Sequence, residues 1–499
     1  MTPPIAAPPT LQQRLDDLVA RAATVTADTD LAVDIAMVRD RLRRPLRVAI
    51  AGRAKAGKST LLNALVGERL AATDATECTR IVTWYRHDLG YSVTAALRSG
   101  ERRSLEFSRA DGSVEIQLGV HAIADVERLE VGWPSSRLEA LTLIDTPGLD
   151  SSARESSQRT VDALIGDEAD GGEADAVVYL MRHLHRNDAD FLEAFNPGRL
   201  AMASPVNAVA LLSRADEIGA GRPDALESAS AIAARYAADP RVRSQALTVL
   251  PIAGLLAETG ATLTEFEVSW LRQVVALAAS EVDGLLLSVD RFRGGAANPL
   301  PEEARERLLD RFGLFGLRFA LDRLRAQPAQ TAPDLARALV EASGIRAVDA
   351  QIRRHFADRS DVLKARSALA RLRSIVAAAG ASRLPGAAEL AVEVERIGAS
   401  SSELLELRLL HDVHAGRLTV SDEELVELNR LLASGPAAGR LGQPEDTPAA
   451  ELRSVAVLSI DRWRTRASNP LLDRPTAEAG ERVARTYESL YLQLDAENR

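Results

Sequence analysis

Gly52-Arg-Ala-Lys-Ala-Gly57-Lys58-Ser59-Thr60 is the stretch whose reading decides the fold. It matches the pattern G-x-x-x-x-G-K-[ST], in which a glycine-rich turn wraps backbone N–H groups around phosphate oxygens. Leu46-Arg-Val-Ala-Ile50 before it has the apolar run of a short strand, and Thr60 to Val66 after it reads as a helix. Gly52 and Gly57 permit the curl, and the helix start adds the positive end of its dipole. Gly52, Ala56, Gly57, Lys58, Ser59 and Thr60 are therefore expected to line the phosphates. Lys58 would reach the β- and γ-phosphate oxygens and Ser59 Oγ would ligate Mg²⁺. Only three of the 61 basic residues are lysine (Lys55, Lys58 and Lys364), and two of them sit in this loop. A solvated surface in this chain uses arginine; a compact ammonium is reserved for a place that needs one.

Working outward, four further pieces follow in the order that GTP hydrolysis requires. Asp145-Thr-Pro-Gly148 comes after the apolar run Leu141 to Ile144. Asp145 would hold Mg²⁺ through water, and the Gly148 N–H would sense the γ-phosphate. Ser213-Arg-Ala-Asp216 comes after Asn207 to Leu212, where GTPases usually carry [NT]-K-x-D. Asp216 would accept from guanine N1–H and the 2-amino group, a pattern adenine does not offer. Arg214 stands in for the usual Lys and can stack its plane on the base; Ser213 stands in for Asn. Pro251-Ile-Ala253-Gly254 fits the segment whose backbone N–H approaches guanine O6, with Ala253 where Ser is usual. Thr79, with Thr76 as the competing choice, lies where a switch threonine would bind Mg²⁺ and the attacking water.

Two positions depart from small GTPases. Leu149 follows Gly148 where a Gln would orient water, so Thr79 or a backbone group must do so, and slow turnover by an isolated molecule follows. Lys55 occupies a loop position at which GTPases that activate by dimerising place a polar residue to hold a monovalent cation. Its ammonium can supply that charge itself, or it can face solvent or pair with Glu77.

Candidate strands at Ile81 to Arg86, Ser92 to Leu97, Leu141 to Ile144, Ala176 to Leu180, Asn207 to Leu212 and Ala246 to Leu250 alternate with helical spacers. That pattern predicts a mostly parallel, doubly wound α/β sheet. Before it, Leu11, Leu15 and Leu18 share one helix face, and Leu31, Ile35, Val38 and Leu42 share another, with Thr10 and Asp28 as expected N-caps. From about residue 260 onward the chain reads as helices, broken near 294–301, 328–333, 380–386 and 435–448. Packing the first helices on the last would bury both apolar stripes in one bundle built from both chain ends.

Composition narrows the classes. A formal charge of −10 argues against nucleic acid as partner, and a single cysteine, Cys78, rules out a disulfide framework within the chain. The residues from Met1 to Thr10 lack the features of a signal peptide, and no run is apolar enough for a membrane span, so a cytoplasmic location is expected. The pairs His183/His185 and His411/His414 have no third ligand nearby in sequence and read as ordinary surface or core residues. The Arg-rich stretch 453–466 reads as a solvated face.

Ala51 to Gly67 resembles the opening of bacterial dynamin-like proteins. Together with Asp74 to Arg86, Ser213 to Arg222, Leu287 to Phe292 and Arg311 to Gly316, it resembles in particular the isoniazid-inducible dynamin-like proteins of mycobacteria. The resemblance implies a GTPase that binds GTP/GDP and Mg²⁺, associates with itself through the GTPase domain, and works at the inner face of the membrane under cell-envelope stress, alone or with a homologous partner. It implies bundle helices at 1–45, a GTPase domain at 46–358 with a helical insertion about 260–335, and a C-terminal bundle at 359–499. An apolar paddle of the membrane-active dynamins is missing, so membrane contact is expected to be peripheral. The rival expectation is a weakly hydrolysing GTP-binding subunit that regulates a homologue; a ribosome-linked GTPase is disfavoured by the acidic chain.

Overall fold

The computed structural model describes residues 9–71, 81–110, 113–118, 123–147, 174–182, 205–433 and 435–496. Among the described residues eleven strands succeed one another: β1 (Leu46–Gly52), β2 (Val82–His87), β3 (Ser92–Leu97), β4 (Arg102–Ser104), β5 (Phe107–Ala110), β6 (Ser113–Ile116), β7 (Val126–Trp133), β8 (Leu141–Asp145), β9 (Ala176–Met181), β10 (Ala208–Ser213) and β11 (Val249–Ile252). Nine of them form one sheet in the order β11-β10-β9-β1-β8-β2-β7-β3-β4, and β5–β6 make a separate hairpin. From β11 to β8 the strands run parallel, β2 and β7 are parallel to each other, and the pairs β2–β8, β3–β7 and β3–β4 are antiparallel.

The central strands are apolar on both faces, and their period of two sends alternate residues into different cores. Leu46, Val48 and Ile50 of β1 join Val178 and Leu180 of β9 and Leu211 of β10 beneath helices Lys58–Val66 and Ile345–His355. Ala49, Ala51, Val177, Tyr179, Ala210 and Leu212 face the other way, under helices Ala225–Ala238, Gly254–Ala261 and Glu302–Ala326. This is the doubly wound α/β sheet expected from the pattern.

Four strands have no counterpart among the expected elements. In β7 the charges of Glu127, Arg128 and Glu130 interrupt the apolar run, yet Glu130 is buried because Arg102 and Arg128 both reach its carboxylate. Strand β4 is an exposed three-residue edge, and hairpin β5–β6 is too short to stand out. The last strand begins at Val249 rather than Ala246, because Asp239 caps the short helix Pro240–Arg243 and Ala246 still bonds back to Val242.

Thr10 caps the helix Leu11–Thr26 with a capping box, as expected. Asp28 does not cap the next: that helix starts at Leu31 after Asp30, and Asp28 lies in the turn closed by Thr29 N–H on Thr26. Helices Leu11–Thr26, Leu31–Arg43, Ser360–Ala381 and Ala387–Ser400 share one core of Leu15, Leu18, Ile35, Val38, Leu369, Leu372 and Ile397. The N-terminal helices and the two helices from 360 to 400 therefore build this bundle, while the helices nearest the other end of the chain do not enter its core. Its seams carry ion pairs and caps: Arg371 to Asp34 at 2.8 Å, and Arg14 to Ser400 and Ser401. The later helices Ser402–His414, Asp422–Leu431, Ala449–Ala467 and Arg474–Ala496 differ from a simple continuation, since their core is contiguous with that of the sheet. In their midst Glu427 accepts from Trp463 Nε1, Tyr487 Oη and Arg462. The Arg-rich helix is not simply a solvated face: Arg464 pairs with Glu488 at the surface, but the mostly covered Arg466 bridges to Glu424 of a neighbouring helix.

Leu15 is fully buried in the core that the N-terminal helices share with the helices from 360 to 400. Leu15→Ala is expected to cost about 2–5 kcal/mol, read by urea unfolding followed by circular dichroism. A change below ~1 kcal/mol would show that the first helix does not belong to that core.

Candidate functional site

Parallel pairing brings all the phosphate- and base-facing loops to one edge of the sheet. Ile50 of β1 pairs with Asp145 of β8, and Gly52 with Leu180 of β9. Leu212 of β10 pairs with Met181, and Ser213 with Ile252 of β11. The C-terminal ends of β8, β1, β10 and β11 thus lie side by side, which is where open α/β sheets bind ligands.

Gly52 leaves the sheet at φ +149°, and a Cβ there would lie 2.5 Å from the Leu180 carbonyl oxygen. Only glycine lets the loop turn this close to β9. Gly57, at φ +92°, opens the helix Lys58–Val66. The buried Lys58 ammonium donates to the carbonyls of Gly52 (3.2 Å) and Arg53 (3.3 Å), so the charge stands inside the curl of the loop. Ala56 is buried and its N–H closes a turn on Arg53. The Thr60 methyl lies 3.6 Å from where a Cβ on Gly254 would sit, which seats the phosphate helix against the start of helix Gly254–Ala261.

Ser59 Oγ donates to Asp145 Oδ2 at 3.0 Å, and the other oxygen, Oδ1, is buried with no hydrogen-bond partner. Burial pushes the Asp145 carboxyl up from its ordinary range, with Lys58 and Ser59 pulling it back. A hydroxyl and an orphaned carboxylate oxygen are hard-oxygen donors suited to Mg²⁺, and the nearby ammonium is suited to the phosphates beside it. Thr146 Oγ1 donates to Ile50 O at 3.0 Å and ties the start of this turn to β1, a contact that the sequence reading did not foresee.

The base side is organised around Arg214. Its Nε and Nη2 donate to the carbonyl of Lys55 at 3.2 and 2.9 Å, and Nη1 pairs with Glu217. The guanidinium thereby joins the loop after β10 to the glycine-rich loop after β1. Lys55 (φ +61°) and Arg214 (φ +55°) are both left-handed, a conformation that costs a non-glycine residue about 1–2 kcal/mol. Two of the four such residues among those described meet at this one contact. The Lys55 side chain itself is exposed. Ser213 Oγ donates to Met181 O at 3.2 Å and tethers β10 to β9. Asp216 is buried, and desolvation pushes its carboxyl up to about 6.

Ala253 departs from its expected part. Its N–H donates to Ser343 O at 2.9 Å and so is not available to a base; the next N–H groups, at the first turn of helix Gly254–Ala261, have no intrahelical partner. Gly344 (φ +84°) makes this possible, since a Cβ there would lie 2.7 Å from Pro251 O. Ninety residues separate the two segments, and nothing local in either announces the contact.

Thr79, its competitor Thr76, Glu77, Cys78, Gly148, Leu149, His183 and His185 lie outside the described residues. His414 Nε2 bonds Asn429 Oδ1 at 2.8 Å, and no cluster of metal-ligand type occurs among the described residues.

With this geometry in place, the chain's likeness to known proteins is informative. Residues 48–194 match the model of the dynamin family. The chain is 37% identical over 461 residues to the isoniazid-induced protein IniC of Mycobacterium tuberculosis, covering 91% of this chain and 92% of that one. Shorter matches, 35% over 126 residues of the isoniazid-induced protein IniA of the same organism and 32% over 120 residues of a bacterial dynamin-like protein of Nostoc punctiforme, cover 24% and 22% of this chain and 20% and 17% of theirs.

A carboxylate must be ionised to accept two N–H groups from guanine. Protonation of Asp216 below about pH 6 is therefore expected to weaken guanine-nucleotide binding by about tenfold per pH unit. The check is the Kd of a fluorescent GDP analogue between pH 5 and 8, measured without divalent cation. Asp216→Asn should flatten the profile; an unchanged slope in that variant would remove Asp216 from base recognition.

Proposed function

Because the chain belongs to the dynamin family, sharing 37% identity with isoniazid-induced protein IniC across nearly its whole extent, we propose that it hydrolyses GTP to GDP and phosphate, that Mg²⁺ is required, and that turnover is coupled to dimerisation or assembly. The observation that supports this best is the joint geometry of Lys58, Ser59, Asp145 and Asp216 on one sheet edge.

In this reading the loop N–H groups and the Lys58 ammonium bind and neutralise the β- and γ-phosphates. Ser59 Oγ and Asp145 would hold Mg²⁺, which supplies charge stabilisation at the phosphates. Thr79 orients the attacking water and Gly148 N–H reads the γ-phosphate. Asp216 selects guanine, Ser213 and Arg214 fix the base loop, and an amide of the Gly254 turn faces O6 in place of Ala253. The exposed Lys55 ammonium projects from a loop whose backbone Arg214 has pinned. There it becomes useful as a transition-state cation only when a second molecule excludes water around it, since a charge acts weakly in bulk solvent. This would make catalysis depend on association.

We take the GTPase domain as 46–358 with its helical insertion about 260–335, and the bundle as 1–45 with 359–499. The isoniazid-induced name of the relative motivates a role in membrane maintenance under cell-envelope stress, with peripheral contact at the inner face, alone or beside a homologous dynamin-like partner. Among the described residues no helix is long and apolar enough to cross a membrane. The second reading is a weakly hydrolysing subunit that regulates such a partner. It is favoured by Ser213 at the base and by the commitment of the Ala253 N–H to Ser343.

Phosphate release from GTP, measured against protein concentration, separates the two. A rate per molecule that rises with concentration, falls at least ~100-fold in Lys58→Ala and is not competed by ATP is the expected result. GTP binding with no turnover at any concentration would favour the regulatory subunit.

A further inference from the structure

Away from the nucleotide edge, a recess of about 200 Å³ opens between the end of helix Lys58–Val66, hairpin β5–β6 and helices Glu265–Val275 and Glu302–Ala326. Its wall carries four guanidiniums, Arg69, Arg109, Arg307 and Arg311, and two carboxylates, Glu68 and Glu267.

Both carboxylates are already engaged. The buried Glu267 accepts from the N–H and hydroxyl of Thr264 at 2.9 Å each and from Arg311 Nε at 2.9 Å. Glu68 accepts from Arg109 at 2.8 Å. The guanidiniums are not used up. The Arg311 side chain is only 8% exposed and spends Nε on Glu267 and Nη2 on Thr262, while Nη1 has no acceptor among the described residues. Arg69 gives only Nε, to Glu258 at 3.1 Å, and Arg307 comes no nearer to Glu267 than 3.9 Å. Counting Glu258 behind Arg69, four fixed positive charges face three carboxylates that are all bonded.

A concave site with spare donors, carboxylates each already paired with a guanidinium, and an excess of positive charge selects an oxyanion. Planar guanidinium forks match the several oxygens of a phosphate better than a single-point anion. We propose that this recess binds a phosphate group, either as the free anion or carried on a lipid headgroup.

The site is joined to the root of the switch segment. Glu258, the carboxylate beneath Arg69, also receives Asn63 Nδ2 at 3.3 Å. Asn63 Oδ1 in turn accepts from the N–H groups of Leu70 (2.9 Å) and Ala71 (2.7 Å), which lead toward Thr79. A phosphate that draws Arg69 outward loosens its hold on Glu258 and alters the clamp on Leu70 and Ala71.

The test uses the full chain carrying Lys58→Ala, so that the nucleotide loop does not itself capture phosphate. Inorganic phosphate is titrated calorimetrically, and flotation is scored with phosphatidylcholine vesicles with or without phosphatidic acid. Arg307→Glu and Arg109→Glu are added singly, with melting midpoints confirming the fold. Binding of phosphate that weakens about tenfold or more in either variant assigns the free anion. Flotation that needs phosphatidic acid and is lost in the variants, without a response to free phosphate, assigns the headgroup. Absence of both responses, or responses that neither variant changes, overturns the site. Amide exchange at Leu70 and Ala71 that does not shift on binding overturns the coupling to the switch segment.

Discussion

The close approach of Gly52 to the Leu180 carbonyl is the constraint on which the rest of the site depends. Strand β1 sits between β9 and β8 because both its faces are apolar, and a strand so placed must leave the sheet without striking its neighbours. With no Cβ at Gly52 the chain turns at once over the end of β9. The Lys58 ammonium can then fold back onto the Gly52 and Arg53 carbonyls, and Ser59 reaches Asp145 across the β1–β8 pair. Any side chain at position 52 would push the loop outward and separate these groups together.

A second constraint links the phosphate side to the base side. Arg214 spends two N–H groups on the carbonyl of Lys55, and both residues hold left-handed backbones. Strain of this sort persists only where surrounding bonds over-determine it. Here charge-assisted hydrogen bonds do so, and the two loops become one body. Movement of the base loop must then move Lys55, the residue whose exposed ammonium projects from the phosphate loop. A lysine at 214 would place one point charge there instead of a bidentate fork. This gives a physical reason for the departure from the usual residue.

Most of the sheet was legible in the sequence, because strands buried on both faces carry unbroken apolar runs and the phosphate loop between β1 and its helix is specific. Strand β7 was not, since the Glu130 carboxylate is buried against two arginines that only the folded sheet brings to it. At the site, Lys58, Ser59, Asp145 and Asp216 were legible because each belongs to a local motif. The occupation of the Ala253 N–H by Ser343 and the Thr146 bond to β1 were not, because backbone acceptors leave no trace in side-chain identity. The bond from Arg214 to the Lys55 carbonyl was not legible either: spacing shows where a guanidinium starts, not which acceptor lies within its reach.

The third lysine completes the argument from composition. Lys364 is buried, and its ammonium donates to the carbonyls of Leu42 (3.1 Å) and Arg44 (3.3 Å), the last of which precedes Pro45 and β1. The end of helix Leu31–Arg43, which leads into β1, and the helix Ser360–Ala381 are thus bonded to each other where they cross. The ammonium complements the negative end of the helix Leu31–Arg43, where these carbonyls lack intrahelical partners. Nearby, Arg359 reaches the carbonyl of Leu432 and binds the same crossing to the later helices, whose core is already contiguous with the sheet. Rotation of the terminal bundle against the GTPase domain would have to break these bonds, leaving Lys364 only its pairing with Asp361 one turn back on its own helix. In a chain that otherwise uses arginine, its three lysines sit in the glycine-rich curl after β1 and at this joint.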